Sequence, residues 1–390
     1  MTRRFGRVVS LAVAATVLLV TAVVVWVGRW AEDSTHDGCV IAEVLSVDGA
    51  ELEGRATAVR TGERLTISHL RLKEGSLRLQ LASGVALDLS GSLEGAFEGP
   101  RRFRLVHGSL NAEVSERGKG FTVVTTVGEV TDLGTRFGMN VTPNGQADIA
   151  VFSGRVRVRE SRTGPANAGM TIRAGEALRL QVGREAARLL TVPLKREEMV
   201  LDLGRAAPAV AAVTDNIEDS SFRRFYGVIA GGMGTGTLVY TDKPDVAWQP
   251  ADGHAFPSEL LGADVVRTFH CDRHELDLEI SLHLAQPAAV YVMHDARTPA
   301  LDWLERGFED TGLRVRSGPW KLAPAVWDLP ANTRGEVYVE YTVWRAQVPA
   351  GGRLELGPPH VRGEGGAKVM FGIAVKPCES NPCKREPTGG

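Results

Sequence analysis

From about residue 40 to residue 182 the chain alternates apolar and polar positions in short runs punctuated by glycine. Leu77, Leu79 and Leu81 fall on one face of an extended segment, and Val85, Leu87 and Leu89 repeat the pattern after Ser83-Gly84. Phe103 and Leu105, then Leu110, Ala112 and Val114, follow around His107-Gly108. Val156 and Val158, then Leu178, Leu180 and Val182, continue it. Successive side chains of a strand point to opposite faces, so period-two runs with glycine turns predict an all-β region of hairpins or coils. Residues 190–208 break this rhythm with Pro193, a charged patch able to form a short helix, and an Ala/Pro segment.

Strands return from residue 209. In residues 274–284, Leu276, Leu278, Ile280, Leu282 and Leu284 alternate with polar residues, which predicts a half-buried strand. Val337, Val339, Tyr341 and Val343 make another, and Val369, Phe371, Ile373 and Val375 a third. Residues 299–306 read as one short helix, with Thr298 as N-cap, Pro299 at its first position and Gly307 as terminator. Long strands with one small helix suggest a β-sandwich.

Ahead of both regions lies a different pattern. Residues 8–27 carry no charge, and their polar residues are Ser10, Thr16 and Thr21. Such a helix spans roughly 30 Å, the hydrocarbon thickness of a bilayer. Arg3, Arg4 and Arg7 precede it, whereas Arg29 is followed by Glu32 and Asp33, which keeps the N-terminus cytoplasmic. Trp26 and Trp30 stand where an interfacial belt belongs. The run is longer than a signal-peptide core, no A-x-A site follows, and Cys39 lacks a lipoprotein signal, so an uncleaved signal anchor is expected. The expected organisation is a cytoplasmic tail (1–7), a transmembrane anchor (8–28), a stalk (29–39), a β domain (40–184), a linker (185–208), a β-sandwich (209–377) and a mobile tail (378–390). The β domains would then be extracytoplasmic, in the periplasm.

Composition refines this picture. The 390 residues carry 45 basic against 47 acidic side chains and are 43% hydrophobic, which fits folded domains and gives no basic footprint for nucleic acid. Four of the arginines lie in residues 1–30, so the remaining chain carries 41 basic and 47 acidic residues, with no basic stripe evident. The cysteines are Cys39, Cys271, Cys378 and Cys383. Cys378 and Cys383 enclose the turn-prone ESNP, so a local disulfide is plausible, and closing so short a loop contributes only about 2 kcal/mol. Cys39 and Cys271 pair only if the stalk folds back.

Several blocks in order carry a family resemblance: EGSLRLQLASGVALDLSG, LVHGSLNAEV, FTVVTTVGEVTDLGTRFGMNV, VFSGRVRVRE and RAGEALRL. Most distinctive is the run from Val130 through Asp132, Gly134, Thr135 and Phe137 to Gly138. Residues 38–182 resemble the FecR domain of bacterial cell-surface signalling regulators. The resemblance implies a membrane-spanning sensor in which Gly134 supplies a turn and Val130, Leu133 and Phe137 pack inward. Such proteins typically carry a cytoplasmic anti-sigma domain. Seven residues before the anchor leave no room for one, so a truncated start or another role is expected, and direct sigma-factor contact is disfavoured. Residues 209–377 resemble galactose-binding-like sandwiches in pattern alone.

Catalytic constellations are poor. His270-Cys271-Asp272-Arg273-His274 looks metal-like, but His274-Glu275 begins an H-E-x-x-H motif that fails at Leu278, and a solvated loop is the better reading. Gly231-Gly232-Met233-Gly234-Thr235-Gly236 lacks the lysine of a phosphate loop and reads as a flexible turn. Asp295, Asp302, Glu305, Glu309 and Asp310 are scattered around the short helix, as on a solvated face. Trp248, Trp303, Trp320, Trp327 and Trp344 are read as core or corner residues rather than a sugar-stacking platform. The expectation is a non-catalytic protein without cofactor or metal, anchored by one span and binding an envelope protein or glycan. The competing reading is a carbohydrate-binding or carbohydrate-active protein with an accessory FecR-like domain.

Overall fold

The computed structural model describes residues 40–54, 58–161, 169–195, 200–202, 208–217, 224–321, 329–349, 352–361 and 368–378. The first thirteen strands are β1 (Val40–Leu52), β2 (Arg64–Ile67), β3 (His69–Leu81), β4 (Val85–Gly99), β5 (Arg102–Val114), β6 (Thr122–Val124), β7 (Gly128–Asp132), β8 (Arg136–Val141), β9 (Ala147–Ser153), β10 (Arg155–Glu160), β11 (Met170–Arg173), β12 (Ala177–Leu180) and β13 (Ala187–Arg188). They form one sheet in the order β11-β10-β7-β6-β5-β4-β3-β1-β2, which branches at β5. Residues 102–104 of β5 pair in parallel with β6, whereas residues 108–113 pair antiparallel with β8, which leads on to β9, β12 and β13.

A bend lets one long ladder wrap a core. In β3 the buried positions shift from Leu70 and Leu72 to Leu77, Leu79 and Leu81, so the parity of the inward face changes across Gly75. The ladder with β4 loses register between Leu72 and Ser76. Gly75 sits at φ +80°, and a Cβ there would overlap the backbone of Gly49. A bulge of this kind keeps apolar residues inside on both sides of the bend. The runs at residues 77–89, 103–114 and 156–158 bury as the alternation predicts, but Val182 lies beyond the end of β12 and is 72% exposed.

The remaining elements are β14 (Thr191–Pro193), β15 (Val210–Asp215), β16 (Tyr226–Ile229), β17 (Ala247–Pro250), β18 (Asp264–Arg267), β19 (Ile280–Leu284), β20 (Ala288–Asp295), helix α1 (Asp302–Gly307), β21 (Glu309–Trp320), β22 (Val337–Val348), β23 (Arg353–Leu356) and β24 (Gly372–Pro377). An eight-stranded sheet runs β14-β16-β18-β24-β20-β22-β21-β17, and β15-β19-β23 forms a three-stranded sheet that shares its core. All eight residues of β20 are buried, and its first six form a continuous apolar run rather than an alternating one.

Three local expectations are corrected. The strand expected over residues 274–284 begins only at Ile280, because His270–His274 coils into a 3-10 turn. Helix α1 starts at Asp302 with Leu301 as its N-cap. The Thr298 hydroxyl instead donates to the Asp295 carbonyl at 3.1 Å, so it closes a turn rather than capping the helix. The alternation in β10 also produces a basic face: Val156 and Val158 are buried, while Arg155, Arg157 and Arg159 are exposed. The tail, anchor and stalk of residues 1–39, the charged patch at 196–199, Trp327 and residues 379–390 lie outside the described residues. Among the described residues no helix is long and apolar enough to cross a membrane.

Replacing Gly75 by Ala combines a left-handed backbone with a clash, so Gly75→Ala is expected to lower unfolding free energy by about 3 kcal/mol. Gly62 has φ +83° and open space around it, so Gly62→Ala should cost only about 1 kcal/mol. Urea titrations of the two variants check this, and equal losses would refute the close-approach argument.

Candidate functional site

The motif from Asp132 to Gly138 is a corner between β7 and β8. The Asp132 carboxylate is fully buried and accepts from the Gly134 N–H at 2.9 Å and from the Thr135 hydroxyl. Burial pushes its carboxyl above the ordinary range, and the hydrogen bonds from the corner partly offset that cost. Val130 and Phe137 pack inward as expected, whereas Leu133 is only half-buried. Asp132, Gly134, Thr135 and Phe137 therefore shape a turn, and none of them presents a reactive atom to solvent.

Gly138 has a different role, which the sequence does not reveal. A Cβ there would run into the side chain of Leu201, and beside it the Asn111 amide binds the Leu201 backbone. Asn111 Nδ2 donates to the Leu201 carbonyl at 3.1 Å, and the Leu201 N–H donates to Asn111 Oδ1 at 2.9 Å. Asn111 is 5% exposed, so this side chain acts as a buried stand-in for a strand. The Lys195 ammonium reaches Asp88 at 3.2 Å nearby. Residues 185–208, expected as a plain linker, thus include β13, β14 and a bridge between Leu194 and Leu201, docked on the first sheet.

A cavity of about 280 Å³ opens along this seam. Ser109, Asn140, Asp148 and Asp202 give it polar walls, and Leu189, Val192, Pro193 and Leu201 give apolar ones. The Ser109 hydroxyl donates to Asn140 Oδ1 at 2.8 Å, and Arg179 clamps both oxygens of Asp148 at 2.7 and 2.8 Å. The Ser109 hydroxyl is thus engaged by a neutral amide, and Asp148, one of the two carboxylates of the lining, is paired with a guanidinium.

An ion-pair network continues the seam into the second core. Arg188 donates to both oxygens of Asp215 at 2.9 and 3.0 Å, and the Tyr226 hydroxyl donates to the same carboxylate at 2.9 Å. Arg224 pairs with Asp272 at 2.6 Å and lies over the Phe269 ring at 5.1 Å. Phe152 of β9 meets Phe225 edge-on at 6.3 Å, so apolar contact and charge pairing join the two cores together. Asp272 is 3% exposed, and burial raises its carboxyl to about 6 despite the Arg224 guanidinium.

The segment His270–His274 is correspondingly less solvated than expected, since His270 and Asp272 are buried. Burial beside Arg273 lowers the His270 imidazole to about 3 and leaves it neutral, and the ring meets Tyr240 edge-on and Trp320 at a tilt. Cys271 is exposed, and partial desolvation of its sulfur beside Asp272 pushes the thiol up rather than toward the thiolate. Among the described residues no cluster of three or more His, Cys, Asp or Glu side chains is arranged to hold a metal. In the glycine run, Met233 is buried and exchanges backbone hydrogen bonds with Gly262 and Ala263, so the segment is a structural turn.

The acidic residues around α1 do not converge. Asp295 is buried and neutralised by Arg297 at 2.6 Å, while Asp302, Glu305, Glu309 and Asp310 are exposed. Trp248 and Trp320 are core residues, Trp303 and Trp344 are half-buried, and Trp303 donates to the Pro358 carbonyl at 3.1 Å. Cys378 is described next to Gln347, but Cys383 and Cys39 lie outside the described residues, as does any bridge to them.

Comparison with known proteins bears on the first sheet. Residues 56–157, a span that takes in β2 to β9 and ends within β10, match the family model FecR protein. The match stops short of the 38–182 span of the sequence resemblance. Two crystal structures from Parabacteroides distasonis, each described as a "putative anti-sigma factor", are 19% identical over 32% of this chain, with a TM-score of 0.25. The likeness spans 57% of that protein's chain. A β-glucuronidase of glycoside hydrolase family 2 is 14% identical over 87% of this chain and 38% of its own, with a TM-score of 0.32. Scores at this level establish no common fold with either. No curated protein matches the chain.

Asn111→Ala leaves the buried N–H and carbonyl of Leu201 without partners and should cost about 2 to 4 kcal/mol in a denaturant titration. A loss under about 0.5 kcal/mol would show that water replaces the amide. For Asp272 the folded carboxyl lies above its unfolded value, so its contribution favours folding below about pH 4 and is lost as pH rises through about 6. Between pH 4 and pH 7 the stability of Asp272→Asn relative to the parent should therefore rise by about 2 to 3 kcal/mol. A parallel pair of stability profiles would refute the raised carboxyl.

Proposed function

We propose that this chain is a non-catalytic envelope protein, held by an N-terminal membrane anchor, whose extracytoplasmic β regions recognise a partner and take part in signalling. The observation that carries the reading is the FecR match over residues 56–157, which lies in a sheet whose distinctive motif is a structural corner. The apolar run of residues 8–28 and its flanking arginines support the anchored placement. The pairing of Asp295 with Arg297, the raised thiol of Cys271 and the amide that holds the Ser109 hydroxyl support binding over turnover. The seam supports a signalling role, because a partner bound to one sheet meets a second core that is joined to it by hydrogen bonds, ion pairs and apolar contact.

A phosphatase reporter fused after Gly390 tests the placement. It should be active in cells, and deletion of residues 8–28 should abolish that activity; a reporter active only in a cytoplasmic format overturns the anchored reading. In the same strain, photo-crosslinkers placed at the exposed Ile41 and Val106 should trap a defined envelope partner in the full-length protein. Reproducible polysaccharide turnover by the purified full chain, abolished by an acid-to-amide change among Asp302, Glu305, Glu309 and Asp310, would replace binding with catalysis.

A further inference from the structure

The outward face of the first sheet divides into two halves of different electrostatic character. On β4, β5 and β7 the arginines have carboxylates beside them. Glu98 receives the Arg102 Nε–H at 2.9 Å and also pairs with Arg104, while Glu129 receives the other end of Arg102 at 2.6 Å. On β10 and β11 that provision runs out. Arg155, Arg157 and Arg159 project from alternate positions of β10, and Arg173 projects from β11. Arg159 approaches Glu129 at 4.0 Å, but Arg155, Arg157 and Arg173 form no ion pair with any described carboxylate.

The register makes this arrangement costly. Arg155 and Arg173 are directly opposite one another across the β10–β11 ladder. Side chains so placed stand about 5 Å apart at Cβ, and like charges there are destabilising. Arg157 faces the neutral Thr171 on one side and the neutral Thr131 on the other, so no neighbour compensates it. In a chain whose acidic residues outnumber its basic ones, this concentration of arginine is a local feature and not a consequence of overall charge.

We propose that the β10–β11 face is a docking surface for an extended acidic polypeptide segment with carboxylates at alternate positions. Same-side residues of an extended chain repeat at about 6.6 Å, which is also the spacing of Arg155, Arg157 and Arg159 along β10. Each guanidinium presents a planar fork that matches one carboxylate, and carboxylates already pair with arginine on the other half of this face. A partner strand lying along β10 supplies the charges that Glu98 and Glu129 supply to β5. Nucleic acid fits less well, because β10 and β11 offer no aromatic side chain for base stacking. An anionic membrane fits less well too, because no large apolar side chain is exposed on either strand. This inference rests on the reading of the chain as a partner-binding protein and names the chemistry of the partner.

The test is fluorescence anisotropy on the full-length protein in detergent, with labelled peptides of one composition and two orders, glutamate alternating with threonine or glutamate in one block. The alternating peptide should bind about tenfold more tightly than the block peptide, and Arg155→Gln with Arg157→Gln should reduce its affinity about tenfold or more. Because these arginines repel within the fold, Arg173→Thr should leave the melting temperature unchanged or raise it, which separates lost binding from misfolding. Equal binding of the two peptides, undiminished binding by the double variant, or tighter binding of heparin or phosphatidylglycerol vesicles than of the alternating peptide would each overturn the proposal. A partner trapped by crosslinking in cells while the alternating peptide fails to bind would overturn this inference and leave the envelope reading in place.

Discussion

Leu201 has no strand beside it on the first sheet, yet its backbone is buried there, and the side chain of Asn111 supplies both missing hydrogen bonds. A buried peptide group left unpaired costs as much as a lost hydrogen bond or more, so the amide decides whether this segment can dock at all. The absent side chain of Gly138 makes room for the leucine, and Lys195 with Asp88 holds the approach. Once the segment is fixed, β14 is positioned to begin the eight-stranded sheet against β16. The second core then includes Ala150, Phe152 and Ala177 from the first sheet, so the two regions share apolar packing and do not merely neighbour one another.

Around that attachment the buried charges follow one logic. Asp215 is held by Arg188 and the Tyr226 hydroxyl, Asp272 by Arg224, and Asp295 by Arg297. Each is a carboxylate almost removed from water, and each has a guanidinium to offset a desolvation cost of several kcal/mol. Pairing of this kind fixes the position of each carboxylate. Arg155, Arg157 and Arg173 invert the pattern, since these cations stand in solvent without an ion pair to any described carboxylate.

Much of the architecture was legible in the alternation of apolar residues. The strands around Leu77 to Leu89 and Val337 to Val343 bury the predicted faces, because a period of two admits few other structures. The FecR blocks were legible too, and the family match over residues 56–157 agrees with them over a narrower span. Less legible were elements in which tertiary burial overrides local pattern. Leu276 and Leu278 continue the alternation of β19, but the 3-10 turn that buries His270 and Asp272 delays that strand to Ile280. Thr298 and Pro299 carry helix-start signals, yet Thr298 closes a turn on Asp295 and the helix begins later.

The sequence by itself determined the all-β class, the inward face of most alternating strands and the family motif, because these depend on neighbours within a few residues. Only the tertiary structure decided that Asn111 completes the backbone of a residue ninety positions away, that Gly138 is small for the sake of Leu201, and that burial raises the Asp272 carboxyl to about 6. It also decided that Arg155 faces Arg173 across the ladder and that Arg157 faces a threonine on either side. Register and burial set these relations, and both are settled by pairings between distant strands that no local spacing encodes.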